Sequence, residues 1–347
     1  MPITSRRSTS TAADARRGAA GGQRGVTLVE VIVAVVVFAL LVLTFFKSLL
    51  LVRDANAMME SHNRVNTQCQ HILNRLANDV ASSIRLYPDG PEGHALLGIL
   101  EGVSAERLAG SLLPVLLPDG IVEKDPETDR ATGNCLLFLQ AESPYAYRAD
   151  GSPEETLRVD VYRVVAVYLT RKDGVAGPLA EVPGGLDLVV FRSVALLDRA
   201  QVDAVADPAE RERLLRLARE ERHLAWLFDV RRPVLEALAG FSAEGVIEPT
   251  PPDPYEIPED PVRAGRSLFA HSTISVATNG TPDHFGVARF AQRTSEEEGF
   301  PHGFEARVTG GSGARQVLLH LTLVHEARPS RKLAYADLNT MAVSRDF

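Results

Sequence analysis

One apolar stretch near the start of the chain constrains the fold more than any other feature. It runs from Val26 to Phe46, covers 21 residues and contains Glu30 as its only ionisable side chain. A helix of this length rises about 30 Å, which matches the hydrocarbon thickness of a bilayer. A carboxylate costs roughly 2.5–3.5 kcal/mol at the bilayer centre and less near its edge. The stretch therefore predicts a membrane-spanning helix, and Glu30 requires a functional reason.

The residues before this stretch have a different composition. Residues 1–25 carry five arginines against a single aspartate and are rich in Ser, Thr, Ala and Gly. This composition predicts a disordered leader. By the positive-inside rule, its arginines hold the N-terminus in the cytoplasm, so the rest of the chain is expected to be extracytoplasmic.

The junction between leader and apolar stretch reads Arg24-Gly25-Val26-Thr27-Leu28-Val29-Glu30. A glycine, an apolar residue, threonine, leucine and a nearby glutamate, all directly before a long apolar run, resemble the processing motif of the type IV pilin-like family. That family includes the type IV pilins and the pseudopilins of type II secretion. Position, spacing and context all agree in this motif.

The resemblance assigns a role to three of these residues. It implies that a prepilin peptidase in the membrane cuts between Gly25 and Val26 and then methylates the new amine of Val26. It also implies that Glu30 of one subunit pairs with the Val26 amine of its neighbour in a filament. Unpaired, each charge would be costly in a low dielectric, so the pairing would fix the axial register between subunits.

Two other interpretations of the apolar stretch stay open. It could be a plain signal anchor with Glu30 near the membrane interface, in a protein that never polymerises. It could also be a secretory signal peptide cleaved after Ala55-Asn56-Ala57, so that the mature chain would begin at Met58. Against the signal peptide, the run exceeds the usual h-region of about 7–15 residues.

The helix is expected to continue well beyond the membrane. Between Val26 and Tyr87 the sequence has neither glycine nor proline, and those 62 residues allow one helix roughly 90 Å long. After Lys47 the apolar residues narrow to one stripe, which must pack against the rest of the chain. The stripe consists of Met58, Val65, Cys69, Ile72, Leu76, Val80 and Ile84.

Strand patterns dominate most of the remaining sequence. Leu157–Thr170 alternates in its first half, and a turn signal separates it from Leu186–Leu196, which predicts an antiparallel hairpin. Gln316–His325 is long and apolar, as expected of a central strand, and Leu333–Val343 is expected at an edge. Further strands are predicted at Cys135–Ala141, His271–Ala277, Phe285–Ala291 and Phe304–Thr309.

Residues 198–265 interrupt this strand pattern. Asp207-Pro208 is a good N-cap and first-turn pair for an amphipathic helix. Glu248–Pro261 is rich in proline and acids and predicts an extended connector. We therefore interpret 198–265 as an insertion.

The expected architecture is pilin-like and belongs to the α+β class. A long N-terminal helix has a transmembrane half, 26–47, and an amphipathic half, 48–87. The amphipathic half packs on an antiparallel sheet domain formed by 88–197 and 266–347.

The sequence offers little for catalysis. It has no HExxH, no paired CxxC, no G-x-S-x-G, no P-loop and no G-x-G-x-x-G after a strand. Nine histidines are scattered, and His320 and His325 are expected on opposite faces of one strand. We therefore predict no enzyme activity, no metal site and no cofactor.

Two further bulk features bear on stability and partners. Cys69 and Cys135 could form a disulfide or remain two buried thiols, and the sequence leaves both options open. The formal net charge is −8, which makes the chain a poor general binder of nucleic acid.

The hairpin region gives a finer resemblance. Leu157–Asp198 is rich in Tyr, Arg and Val and ends in Leu-Leu-Asp-Arg, similar to the J-type minor pseudopilins of type II secretion. The resemblance implies a structural subunit at the filament tip, in the cytoplasmic membrane, that serves protein export. Its implied partners are other pilin-like subunits, prepilin peptidase, an inner-membrane assembly platform and membrane lipid.

Related alternatives remain at this stage. Length and insertion would suit a K-type subunit, but K-type chains typically lack the glutamate that is present here as Glu30. A minor pilin of a type IV or competence pilus is a second possibility. A membrane-anchored extracytoplasmic binding protein that does not polymerise is a third.

Overall fold

The computed structural model describes most of the chain from Val26 onward. The leader 1–25 and the connector Glu248–Pro261 lie outside the described residues, so their assignments stay predictions. By contacts the chain divides into two compact units, Met1–Arg53 and Asp54–Phe347. The described residues are 26–100, 103, 107, 111–118, 131–150, 156–171, 186–193, 195–222, 224, 226–233, 266–267, 273–278, 290, 303–311, 313–327 and 332–345.

Helix α1 spans Leu28–Ala81 and is 54 residues long. The sequence predicted that it would run to Tyr87, but it ends six residues earlier. Ser82 Oγ donates to the carbonyl of Asp79 (2.9 Å) and the next serine hydroxyl donates to that of Val80 (2.6 Å). These bonds satisfy carbonyls that the helix end leaves without a helical partner, and the backbone then turns into a strand.

Twelve described strands form one sheet. They are β1 (Ser83–Leu86), β2 (Leu116–Leu117), β3 (Leu136–Arg148), β4 (Thr156–Arg171), β5 (Leu186–Arg192), β6 (Leu196–Asp198), β7 (Trp226–Phe228), β8 (Arg266–Ser267), β9 (Ile274–Val276), β10 (Phe304–Thr309), β11 (Arg315–Ala327) and β12 (Lys332–Ser344). The other described helices are α2 (Pro91–Ile99), α3 (Arg199–Asp203) and α4 (Pro208–Arg222).

The sheet is mostly antiparallel, which confirms the α+β class. Its main path runs β1-β3-β4-β5-β9-β11-β10-β2, and β12 joins at β11. Strands β4 and β5 pair antiparallel from Val165–Arg171 to Leu186–Arg192, as the hairpin prediction requires. The parallel pairs among the described strands are β2 with β10 and β6 with β7.

Strand β11 is central, as its apolar sequence predicted. All of β12 pairs along one of its edges, and β10 and β9 share the other edge. The predicted strand Phe304–Thr309 is β10 with the same bounds. Phe285–Ala291 was also predicted as a strand, but it lies outside the described residues apart from Phe290.

The main core lies between the second part of α1 and one face of the sheet. The stripe predicted from helical periodicity is the buried one, apart from Met58, which is half-buried, and Ile84, which belongs to β1. Odd-numbered residues of β11 face this core. The buried residues of α1 are Ser61, Val65, Cys69, Ile72, Leu73, Leu76 and Val80.

The opposite face of the sheet is covered in two places. Around α2, Leu96 and Leu97 pack with the other faces of β3, β4 and β5. Around α3 and α4, Leu214 and Ala218 pack with Tyr145 and Val159. Both faces of the middle strands are therefore buried, so β4 changes from alternating burial to continuous burial after Arg163.

The described half of segment 198–265 is built into this sheet. Helix α4 begins at Pro208, and Asp207 Oδ1 accepts from the amide of Ala209 (2.9 Å), as the predicted N-cap requires. Beyond α4, strand β7 pairs in parallel with β6. The described residues of 198–233 thus pack on the sheet, because the apolar face of α4 contacts β3 and β4. The interpretation of 198–265 as an insertion stays a prediction.

The two cysteines do not form a disulfide. Both are free and buried, and they lie in different cores on opposite faces of the sheet. Cys69 Sγ donates to the carbonyl of Leu321 (3.4 Å). Burial raises the pKa of each thiol to about 12, so both are inert in the folded protein.

We predict that alkylation will report two protected thiols. At about pH 8, iodoacetamide should leave Cys69 and Cys135 of the folded full-length chain unmodified, because neither thiol is exposed or ionised. After unfolding without reductant, mass spectrometry should show both thiols alkylated. Modification that requires reductant would instead demonstrate a disulfide and contradict the placement on opposite faces.

Candidate functional site

The residues of the motif surround the start of α1, and Glu30 is held there by Thr27. The amide of Thr27 donates to Glu30 Oε2 (2.9 Å), and its hydroxyl donates to the same oxygen (3.1 Å). In return, the amide of Glu30 donates to Thr27 Oγ1 (3.3 Å). The backbone amide of Val31 donates to the carbonyl of Thr27 (3.2 Å), which is the first turn of the helix.

This arrangement is a capping box. Thr27 occupies the N-cap position and Glu30 the third helical position, so two amides at the open end of the helix gain side-chain acceptors. The carboxylate also lies next to the positive end of the helix dipole. From the sequence we expected Glu30 to pair with the Val26 amine of a neighbouring subunit, and did not predict this bond within its own chain. The Thr-x-x-Glu spacing was the signal for it.

The N-terminal part of the chain from Val26 to Arg53 presents mostly apolar side chains to its surroundings. Val26 and Leu28 are 71% and 77% exposed, and nearly all residues that follow, to Arg53, are exposed as well. The hydroxyls in this stretch are satisfied within the helix, since Thr44 donates to Leu40 (2.8 Å) and Ser48 to Thr44 (3.0 Å). The stretch thus exposes no unsatisfied hydroxyl to an apolar solvent.

By length and composition, α1 is the helix in the described part of the chain that could cross a membrane. Gly25 lies outside the described residues, so the peptide bond between Gly25 and Val26 has no structural description. The structure therefore brings Thr27 and Glu30 together and leaves the processing roles of Gly25 and Val26 as predictions.

A second polar site, which the sequence analysis missed, lies in the sheet. His320 on β11 is fully buried between two carboxylates from the neighbouring strands. Its Nδ1 lies 2.6 Å from Glu305 Oε2 on β10, and its Nε2 lies 2.5 Å from Asp337 Oδ1 on β12. The ring also contacts Phe290 edge-on, with 5.7 Å between ring centroids.

The two carboxylates determine the charge of His320. Burial alone lowers the pKa of the imidazole, but hydrogen bonds and attraction from Asp337 and Glu305 outweigh it and raise the pKa above its usual 6.5. Glu305 is itself fully buried, and its Oε2 also accepts from the amide of Phe290 (3.2 Å). The hydrogen bonds of His320 therefore join three strands, and its raised pKa favours the imidazolium form that makes an ion pair with the two carboxylates.

This cluster does not form a metal site. Both nitrogens of the His320 ring are engaged, and nowhere in the described part of the chain do three His, Cys, Asp or Glu side chains meet in a metal-binding group. The sequence expectation for His320 and His325 concerned only which faces they point to. The cluster depends on the register of three strands, so no local spacing could have revealed it.

Comparison with known proteins identifies the start of the chain. Residues 21–46 match the prokaryotic N-terminal methylation motif, the prepilin signal of type IV pilin-like proteins. No curated protein and no solved structure matches the chain. The motif implies processing by prepilin peptidase and assembly with other pilins, a role that is structural. The exposed apolar helix agrees with single-pass membrane anchoring.

We predict that His320→Gln will destabilise the fold by about 3 kcal/mol, because it leaves Glu305 buried without its cationic partner. The raised pKa of His320 means that the ion pair stabilises fully below about pH 6.5 and loses its effect as pH rises through the folded-state pKa. Urea unfolding of wild type and variant between about pH 5 and pH 9 should therefore give a difference that shrinks with pH.

His71→Gln is the matched control, because His71 is exposed on α1 and the substitution should change little at any pH. A stability loss for His320→Gln that stays constant or grows with pH would contradict the charged state assigned to the cluster.

Proposed function

We propose that this chain is a minor pilin-like subunit of a type II secretion pseudopilus, located at the filament tip and most similar to the J-type subunits. The observation that carries the proposal is the prepilin signal at residues 21–46, followed by an exposed apolar helix that starts with a capped carboxylate. In this proposal the subunit is structural and its role is to support protein export.

The first step is processing at the membrane. Prepilin peptidase cuts between Gly25 and Val26 and methylates the amine of Val26. The arginine-bearing leader stays in the cytoplasm, and the globular part lies in the periplasm. The cut places a cation next to Thr27, whose amide and hydroxyl already hold Glu30.

The second step is pairing between subunits, and the geometry of Glu30 suits it. Both hydrogen bonds from Thr27 go to Oε2. Within the part of the chain that the structure describes, Oε1 has no hydrogen-bond partner. A carboxylate can accept about four hydrogen bonds, so Oε1 is available to the Val26 amine of a neighbouring subunit without loss of the helix cap.

The cap also explains how a lone subunit tolerates Glu30 in the membrane. Two donors from Thr27 partly replace the water that the carboxylate loses there. The neighbour's amine then adds the missing opposite charge. The subunit before assembly would have Glu30 bonded only to Thr27. The pair between subunits would then set the axial register of the filament.

The exposed apolar surface from Val26 to Arg53 supplies the remaining contacts. Before assembly it faces lipid, and in the filament it packs against the same segment of other pilin-like subunits. Transfer between the two environments would require an inner-membrane assembly platform. The apolar surface is compatible with both settings because its hydroxyls are bonded to its own backbone.

The J-type assignment draws on the hairpin of β4 and β5 and the strand β6 that ends it. A minor pilin of a type IV or competence pilus would carry the same prepilin signal and apolar helix, and neighbouring secretion or pilus genes would separate the two. A non-polymerising anchored binding protein would keep its leader.

We predict that the mature protein begins with N-methylated Val26. Native protein extracted from membranes and digested should give an N-terminal peptide that starts at Val26 and carries one additional methyl group in mass spectrometry. An intact Met1 would instead support a plain anchor, and a start at Met58 would support secretion; either result rejects the filament proposal.

We also predict that Glu30→Ala will insert into the membrane but enter filaments at least about tenfold less, since the buried amine of the neighbour loses its counter-charge. The residue-30 amide can still donate to Thr27 Oγ1, so the helix start is retained. Sheared-filament and membrane fractions would be compared by immunoblotting.

Glu60→Ala is the control for this experiment, because it removes the same charge from an exposed position of α1. Its incorporation should equal that of wild type. Equal incorporation of the Glu30→Ala variant would refute the assembly role of Glu30.

A further inference from the structure

An open cleft of about 560 Å³ lies where strand β3 departs from regular pairing. The register of β3 with β4 shifts between Glu142 and Tyr145, and the cleft opens beside that irregularity. Three arginines line it, each from a different element: Arg163 from β4, Arg192 from β5 and Arg222 from the end of α4. Glu142 is the only carboxylate among the described residues that line it.

Two of the arginines are fixed by the protein. Arg163 donates through Nε to Glu142 Oε1 (2.5 Å) and through Nη1 to the carbonyl of Ser193 (3.1 Å). Arg192 donates to Gln140 Oε1 (2.6 Å) and to Asp79 Oδ2 (2.7 Å). These contacts preorganise the two guanidinium groups and leave Nη2 of Arg163 without a described acceptor.

The third arginine is positioned but not neutralised. The guanidinium carbon of Arg222 lies 5.8 Å from the centroid of the Tyr145 ring, a cation–π contact. Within the described residues Arg222 makes no ion pair and no hydrogen bond. Because Arg222 is exposed and lines the cleft, its N–H donors are available to a ligand.

The cleft is mostly polar and larger than a single small anion. Val161, Ala195 and Leu224 also line it, but they are only 2%, 6% and 4% exposed and so offer little apolar surface. A bare inorganic anion would fill only part of the volume of about 560 Å³, whereas a peptide segment brings a carboxylate together with backbone groups that can bond to the polar lining.

We propose that this cleft binds an acidic segment of a partner protein. A glutamate or aspartate of that segment accepts from Arg222 and from Nη2 of Arg163, and the adjoining backbone occupies the rest of the cleft. Arginine suits this role because its planar donors match a carboxylate in two parallel hydrogen bonds. Glu142 disfavours a doubly charged phosphate more than a singly charged carboxylate. The inference goes beyond filament assembly and applies equally to a chain that remains a monomer.

The test is a binding experiment with the full-length chain in detergent micelles. The probe is a fluorescein-labelled peptide of glycine and serine that carries a run of glutamates, and the comparison peptide has glutamines in their place. Fluorescence anisotropy should show binding of the glutamate peptide, weaker at high salt, and little binding of the glutamine peptide. Arg222→Gln should weaken binding about tenfold, the effect of one lost charge-assisted hydrogen bond.

Arg216→Gln provides the matched control. Arg216 is exposed on α4 and does not line the cleft, so the variant changes the net charge equally and should bind like wild type. Thermal melting should show both variants folded, because Arg222 holds no described hydrogen bond or ion pair. Equal weakening in both variants, or equal binding of the two peptides, would overturn the proposal.

A competition experiment tests whether the cleft prefers a peptide or a small free anion. Sodium citrate at matched ionic strength should displace the peptide only at concentrations far above the peptide's dissociation constant. If citrate or inorganic phosphate binds as tightly as the peptide, the cleft is a small-anion site and the proposed occupant is wrong.

Discussion

The globular part of this chain depends on one constraint, the burial of the apolar stripe on α1. A helix with such a stripe is not stable alone in water, because each exposed Å² of apolar surface costs about 25 cal/mol. The sheet covers this stripe with one face, and that face includes every second residue of β11. Its other face then needs covers of its own, which α2, α3 and α4 provide. The layer order of the fold follows from these two requirements.

Sequence patterns predicted the elements whose cause is local. The stripe of α1, the bounds of β10 and the central place of β11 follow from periodicity and apolar runs that tertiary contacts do not alter. The predicted end of α1 at Tyr87 was wrong. Two serine hydroxyls bond to the last carbonyls of the helix, and Ser83–Leu86 pairs with β3 as a strand. The cluster of Glu305, His320 and Asp337 could not be predicted, since the registers of β10 with β11 and of β11 with β12 must both be known before those side chains meet.

At the start of α1, one part of the site could be predicted from the sequence and another part is known only from the structure. The family resemblance pointed to Glu30, and the match over residues 21–46 agrees with that motif. The hydrogen bonds from Thr27 add what the resemblance lacked, namely a partner for the carboxylate inside its own chain. In the proposed function, assembly therefore adds a counter-charge to a carboxylate that is already oriented, and no cap has to break first.

Two long-range contacts, one from α1 and one from the strand that follows it, have a consequence for the order of folding. Cys69 on α1 bonds to Leu321 across 252 residues of sequence, and Ser83 on β1 bonds to Ser344 across 261. Contacts this distant close large loops and form slowly. The helix leaves the ribosome long before β11 and β12 exist, so the part of its stripe that these two strands cover stays uncovered until they are made. A nascent chain therefore displays hydrophobic surface that chaperones can bind, and a chain truncated before β11 would lack that part of the cover.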